Sequence, residues 1–246
     1  MAKTTSKALT VWDKKLAEKA AKAAATEVLG YSNNISIKGG QLTIDVVKVP
    51  GNASNFIVVA SNFNNQFREG AYDPENYEAP VCFAFGDTEA ELAPHEKSTK
   101  PQDDGKGCAA CPQNEWGSAS VGKGKACRQA RDLILISADS EEVETAKLYR
   151  LSVPPTSLKA WKGYVHQLNN TLQRPTMSVI TEVKAVVIGT YPGVEFKLVD
   201  KIDDGDVLTA IESREDEAVK ILTKPYEQVV KEIAPATKKG IKARKF

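Results

Sequence analysis

Three of the four cysteines are spaced so that they could hold a metal ion together. Cys108 and Cys111 form a C-x2-C pair, and Cys127 follows after fifteen intervening residues. A pair at this spacing lets two thiolates point at one ion, while more distant side chains complete a tetrahedron. Glycines on both sides of the pair supply the backbone freedom that such a turn requires. We therefore predict a Zn²⁺ site in the loop 94–131.

Two side chains compete to be the fourth ligand. His95 precedes Cys108 by twelve intervening residues and is the candidate that we favour. Cys82, in the apolar run PVCFAF, is the alternative. We rank it second because a buried free thiol is the ordinary expectation for a cysteine in such a run. A complete set of protein ligands would make the site closed and structural rather than catalytic.

Other uses of the cysteines fit the sequence less well. A thioredoxin-like C-x2-C pair would lie at the end of a βα unit, and no such unit is visible here. Four cysteines in 246 residues, with no signal peptide, are typical of a reducing compartment rather than of a disulfide framework. No run of eighteen apolar residues indicates a membrane span. We expect a cytoplasmic protein with no membrane partner.

The sequence contains no catalytic motif that we can identify. G-x4-G-K-[ST], G-x-S-x-G and H-E-x-x-H are all absent. A zinc deaminase has Glu two residues after its His and Pro directly before its first Cys. Here Glu96 follows His95 directly, and Gly107 precedes the cysteine pair. We therefore expect that the protein is not an enzyme.

Charge is segregated along a chain whose net charge is only +1. Residues 105–131 carry five basic side chains and one acidic side chain, whereas residues 201–234 carry five basic and nine acidic ones. The basic segment is the one that contains the cysteines. A positively charged, metal-held loop of this kind is suited to a negatively charged partner.

Aromatic side chains accompany the basic ones in and near this loop. Non-specific binding of single-stranded nucleic acid needs a basic groove along the backbone and aromatic faces on which bases stack. The sequence supplies both types of side chain, so we predict contacts with single-stranded DNA. The candidate residues are Phe67, Arg68, Tyr72, Trp116, Lys123, Lys125, Arg128 and Arg131.

Hydropathy patterns predict many short strands and few helices. We therefore expect an α+β fold that is mainly β: an OB-fold-like antiparallel barrel with an inserted zinc loop and flanking helices. The predicted strands are 34–38, 41–49, 54–63, 80–85, 132–137, 146–153, 176–189 and 194–202, the last two joined by a turn at Tyr191-Pro192-Gly193. The predicted helices are 11–29, 157–172 and one or two within 206–233.

The same patterns suggest four regions. Residues 1–30 form an N-terminal helical arm, and residues 31–204 form the OB-fold-like core with the zinc loop at 94–131. A helical segment at 205–234 and a basic flexible tail at 235–246 follow.

Several runs together resemble a known family. They are PHEKSTKPQ, the C-x2-C pair followed by PQNEWGSA, then GKGKAC, R-x-L-I-L-I, LSVPPTSLKAWKGYV and VITEVKAV. Over most of residues 30–200 the chain resembles a family of single-stranded DNA-binding proteins of tailed bacteriophages. In arrangement rather than in alignment, it is similar to the helix-destabilising proteins of T-even phages, which combine an OB-fold with a zinc loop held by three cysteines and one histidine.

The resemblance implies a protein that coats single-stranded DNA during phage DNA replication, recombination and repair. Its implied metal ligands are Cys108, Cys111, Cys127 and His95. Its implied partners are single-stranded DNA, phage replication or recombination proteins, and further copies of itself on the DNA. The implied location is the cytoplasm of the host cell.

Two other classes of function stay open. A zinc-stapled interaction module would bind a host or phage protein and would be indifferent to added oligonucleotide. A subunit that acts on duplex DNA would need an element that enters a groove, and no helical recognition element is evident in the sequence.

Overall fold

The computed structural model describes residues 15, 16, 19, 33–70, 78–120 and 122–226. Most of the predicted N-terminal arm, the tail at 235–246 and the candidate Tyr72 lie outside these residues. The chain divides into two compact units. The first unit comprises residues 1–61 and 130–221, and the second comprises residues 62–129 and 222–246.

The described elements are mostly strands, as the sequence predicts. The strands are β1 (Asn34–Ser36), β2 (Thr43–Ile44), β3 (Val47–Lys48), β4 (Ala53–Phe67), β5 (Cys82–Gly86), β6 (Arg128–Ser137), β7 (Tyr149–Val153), β8 (Val179–Ile188) and β9 (Tyr191–Lys201). The α-helices are α1 (Leu158–Leu172), α2 (Gly205–Ser213) and α3 (Glu215–Leu222). The expectation of an α+β fold that is mainly β is confirmed.

The sheet is mixed rather than purely antiparallel. Its strands follow the order β3-β2-β1-β7-β6-β4-β8-β9, and β5 pairs with β4 off this path. β1 runs parallel to β7, whereas the ladders β6–β7, β4–β8 and β8–β9 are antiparallel. Among the described helices, none is both long enough and apolar enough to cross a membrane.

One apolar core holds the first unit together. Helix α1 covers it with the side chains of Trp161, Tyr164 and Leu168, which recur at helical spacing. Strands β4 and β6 to β9 supply alternating side chains, among them the fully buried Phe56. The hydroxyl groups of Tyr164 and Thr181 lie 2.6 Å apart within this core, so the buried phenol has a hydrogen-bond partner.

The turn between β8 and β9 differs from the sequence prediction. The chain reverses at Gly189-Thr190, and Tyr191 is already paired with Ile188 in the hairpin. Gly189 has φ of +64°, the left-handed conformation that two-residue hairpin turns require. The predicted turn at Tyr191-Pro192-Gly193 is therefore wrong, and these residues form the start of β9.

The second unit is built on the β4–β5 ladder. The register pairs Phe63 with Gly86, Asn65 with Ala84 and Phe67 with Cys82. Directly paired residues share one face of an antiparallel ladder, so these six residues lie on one face. A small core on this face contains Phe63, Ala84, Leu92 and Cys108.

Candidate metal centre and its loop

The four cysteines of the chain line one small cavity in the second unit. Cys82 comes from β5, Cys108 and Cys111 flank a single 3₁₀ turn, and Cys127 directly precedes β6. The cavity has a volume of about 10 Å³, close to the space that one water-sized sphere fills. All four thiols are buried and free, so the structure gathers four soft ligands around a space suited to a single ion.

Burial makes the thiolate forms of Cys82, Cys108 and Cys127 unfavourable without a cation. Desolvation, strengthened by the neighbouring thiols, raises the pKa of Cys108 to about 11 and that of Cys127 to about 12. Desolvation also raises the pKa of Cys82. A divalent cation in the cavity would reverse this balance, because it stabilises the deprotonated ligand outright.

Polar groups around the cavity offset part of this rise in the pKa values of the thiols. The Asn65 side chain lowers the pKa of Cys108, and the backbone of Gln66 lowers that of Cys127. Ser98 and the backbone of Gln102 act in the same way on Cys82. Such donors stabilise metal-bound thiolates and orient them.

The thiols are gathered but do not form a finished coordination sphere. Among the residues that the structure describes, no three His, Cys, Asp or Glu side chains are arranged as a ready metal-binding group. The four thiols nevertheless line the same small cavity and affect one another electrostatically. The donor set, all thiols and no disulfide, has the chemistry of a zinc site with four cysteine ligands.

His95 does not lie among these thiols. Its ring stacks on Phe83, with 5.0 Å between ring centroids and 20° between planes, and its Nδ1 accepts a hydrogen bond from the Lys97 N–H at 3.1 Å. Phe83 and Cys82 are adjacent in β5 and therefore point to opposite faces of the ladder. The geometry thus favours Cys82 over His95 as the fourth ligand.

The loop between the cysteines folds back on itself. The Cys127 N–H donates to the Gln113 carbonyl at 2.7 Å, and the Gly117 N–H donates to the Gly124 carbonyl at 2.9 Å. Gly117 has φ of +90°, a conformation that a residue with a side chain adopts only with strain. These contacts close a tongue, residues 112–127, whose base carries Cys111 and Cys127.

Trp116 is at the outer end of this tongue and is 80% exposed. The Nζ of Lys125 lies 5.8 Å from the centre of the indole ring and donates to the Asn114 side-chain oxygen at 3.0 Å. Lys123 and Arg128 are exposed nearby in the sequence. The tongue therefore presents one large aromatic face together with positive charge.

The remaining predicted DNA-binding residues lie elsewhere. Phe67 lines the cysteine cavity, a position that does not favour stacking on a base. Arg68 donates to the Glu78 carbonyl at 3.0 Å. Arg131 belongs to the first unit, where its Nη2 donates to the Ser61 hydroxyl at 2.9 Å.

Sequence reasoning missed a row of amides in β4. Asn62, Asn64, Asn65 and Gln66 are all buried, although the predicted strand ends at Phe63 and leaves the last three outside it. Buried amides require hydrogen-bond partners. A weak signal in the sequence is the spacing of Phe63 and Phe67, which puts both rings on the same face of an extended strand with three of the amides between them.

Comparisons with known proteins add no identification. No protein-family model, no curated protein and no solved structure matches this chain. The function must therefore be argued from the residues and their placement.

Proposed function

We propose that this chain is a non-sequence-specific single-stranded DNA-binding protein whose DNA-contacting tongue is held by a structural Zn²⁺. The observation that carries the proposal is the tongue itself. It presents Trp116 and basic side chains to solvent, while its base ends in buried thiols that share one cavity. An aromatic face beside cations is the surface that single strands require.

In this proposal the metal is held by Cys82, Cys108, Cys111 and Cys127. Bound there, it would supply no reaction chemistry and would cross-link the tongue to β5. Among its described residues the tongue has one short 3₁₀ turn and no strand of its own, so a cross-link at its base would fix the position of Trp116. The OB-fold-like arrangement belongs to the same proposal, because small β-sheets of that type bind single strands with their loops.

The first experiment is a fluorescence-anisotropy titration of zinc-assayed protein with labelled oligo(dT) and a matched duplex at two salt concentrations. We expect preference for the single strand and an affinity that falls as salt rises, because phosphate contacts release counterions. Failure to bind either nucleic acid with the metal present would overturn the proposal and favour a protein partner. Preference for duplex would favour a regulator or enzyme subunit that acts on duplex DNA.

Variants of the tongue locate the contact. Trp116→Ala should weaken oligo(dT) binding by about tenfold, the order expected for loss of one stacked base. Lys123→Glu should weaken binding and flatten its salt dependence. The matched controls are Tyr191→Ala, which removes an aromatic side chain that is 65% exposed in the first unit, and Lys159→Glu, which makes the same charge change on the exposed side of α1.

The identity of the fourth ligand has its own test. Cobalt-substituted protein reports the number of coordinating thiolates through the intensity of its charge-transfer absorption. Cys82→Ser should lower that intensity and weaken Zn²⁺ binding, whereas His95→Ala should leave both unchanged. The opposite result would return His95 to the ligand set.

A further inference from the structure

The two faces of the β4–β5 ladder carry different chemistry. One face holds the cysteine cavity. On the other face the register pairs Asn64 with Phe85 and Gln66 with Phe83, so two amides and two aromatic rings lie side by side. Neither Asn64 nor Gln66 is among the candidate DNA contacts, and the metal site does not use their side chains.

Tyr226 occupies this second face. Asn64 Nδ2 and Gln66 Nε2 both donate to its hydroxyl oxygen, each at 2.7 Å. Its ring meets Phe83 edge-on with centroids 5.1 Å apart and lies 5.8 Å from Phe85. We call the site formed by Asn64, Gln66, Phe83 and Phe85 the amide slot.

The chemistry of the amide slot is specific. Two amide donors converge on a single oxygen that is attached to a flat ring, and aromatic side chains line the space around that ring. A buried amide without a partner costs free energy, so the slot favours an occupant that offers an acceptor at this point. The keto oxygen of a nucleobase such as thymine is an acceptor attached to a flat ring of comparable size.

We propose that the amide slot binds one unstacked nucleobase of a single strand, and that Tyr226 occupies this site when no strand is bound. The keto oxygen takes the place of the tyrosine hydroxyl between Asn64 and Gln66, and the base takes the place of the phenol ring against Phe83 and Phe85. Proteins that bind single strands commonly combine aromatic stacking with hydrogen bonds to base edges. This inference rests on the proposed binding of single-stranded DNA.

In this proposal Tyr226 and a nucleobase compete for the amide slot. A ligand that needs the vacated slot binds with an affinity reduced by the fraction of molecules in which the slot is open. Removal of the tyrosine side chain therefore strengthens binding, whereas loss of an ordinary packing residue would leave affinity unchanged or weaken it. The direction of the change separates the two roles.

The test compares full-length wild-type protein with Tyr226→Ala on two labelled oligonucleotides of equal length, oligo(dT) and an oligomer that lacks its bases. We expect Tyr226→Ala to bind oligo(dT) about fivefold more tightly or better, and to bind the abasic oligomer as wild type does. Adding Gln66→Leu should remove the gain, because one of the two donors is lost.

Tyr226→Phe replaces Tyr226→Ala in this test if the alanine variant melts at a lower temperature than wild type. It keeps the ring and removes only the acceptor, so it should give a smaller gain in the same direction. Tyr191→Ala, the exposed tyrosine of the first unit, should change neither affinity.

The outcomes separate the two proposals. Wild-type binding to oligo(dT) without any gain from the Tyr226 variants, or an equal gain on the abasic oligomer, would overturn the amide slot alone. Absence of oligo(dT) binding by wild type and variants would overturn single-strand binding, and the slot with it.

Discussion

The two compact units of this protein are stabilised in different ways. The first has a continuous apolar core that joins α1 to several strands, and members of it such as Phe56 and Leu133 are completely buried. The core of the second contains Phe63, Ala84, Leu92 and Cys108. The second unit also buries amides, a carboxylate and thiols, which contribute little hydrophobic stabilisation.

All four cysteines belong to the second unit, which has the smaller core among the described residues. Burial of apolar surface is the main favourable contribution to folding, and a unit with a small core needs another source of stability. Small domains commonly obtain it from a metal ion or from disulfides. In the proposed function, the four free thiols around one cavity hold such a metal ion. The first unit, with its larger core, has no cysteine in its sequence.

The largest predicted effect is the loss of metal from the second unit. Chelation should lower the free energy of local opening around 82–127 by about 5 kcal/mol or more, because metal binding and local folding are coupled. Hydrogen exchange followed by mass spectrometry measures this opening for each peptide. Peptides from β8 and β9 should exchange at unchanged rates. If chelator left the exchange rates of peptides from 82–127 unchanged, the second unit would not depend on metal for its stability.

The second prediction concerns the core of the first unit. Phe56→Ala should lower the free energy of unfolding by about 3–5 kcal/mol, because it leaves a cavity in a closely packed core. Denaturant melts of the metal-loaded protein measure this loss, and a zinc assay should show unchanged metal content. Val199→Ala, at a side chain 48% exposed, is the control and should change stability by less than about 0.5 kcal/mol. Loss of metal from Phe56→Ala would show that the apolar core of the first unit and the metal site of the second do not stabilise the protein independently.

The smallest of the three effects is expected at Asn65. This side chain is 1% exposed, lines the cysteine cavity and makes no hydrogen bond to the described residues, and it offsets part of the burial-driven rise in the pKa of Cys108. We interpret it as a positioning residue whose amide donates to the Cys108 thiolate. Asn65→Leu should weaken Zn²⁺ binding by about tenfold.

Competition with a metal-binding dye measures that affinity, and the charge-transfer absorption of the cobalt form should shift because the thiolate loses a hydrogen bond. Asn170→Leu, on the exposed side of α1, makes the same chemical change away from the cavity and should have no effect. If the cobalt spectrum of Asn65→Leu did not shift, Asn65 would have only a packing role and would not donate to the Cys108 thiolate.

The sequence predicts the regular parts of this fold well. The periodicity that indicates a helix over 157–172 reflects burial on one side, and α1 occupies Leu158–Leu172. Alternation likewise indicates the strands that cover the first core. The spacing of Cys108, Cys111 and Cys127 marks residues that do lie around one cavity.

Long-range contacts are what the sequence does not reveal. The end of β4 was predicted near Phe63, but the strand continues to Phe67, with amides that bond to Tyr226 across some 160 positions of sequence. The same limit applies to the fourth ligand. Alternation along β5 shows that Cys82 and Phe83 face opposite ways, but the path of the following loop, which carries His95 to Phe83, depends on contacts that no local pattern encodes.

The hydrogen bonds between Arg131 and Ser61 show how residues 62–129 are connected to the first unit. Residues 62–129 leave the first unit after Ser61 and return at Ala130, and the side chains of Ser61 and Arg131 are in contact. A segment whose entry and exit coincide can be lengthened, shortened or exchanged at little cost in chain entropy, because loop closure depends only weakly on the number of residues enclosed. Residues 62–129, which carry all four cysteines, thus have the connectivity of an insertion, and residues that follow Ile221 complete the same unit from the other end of the chain.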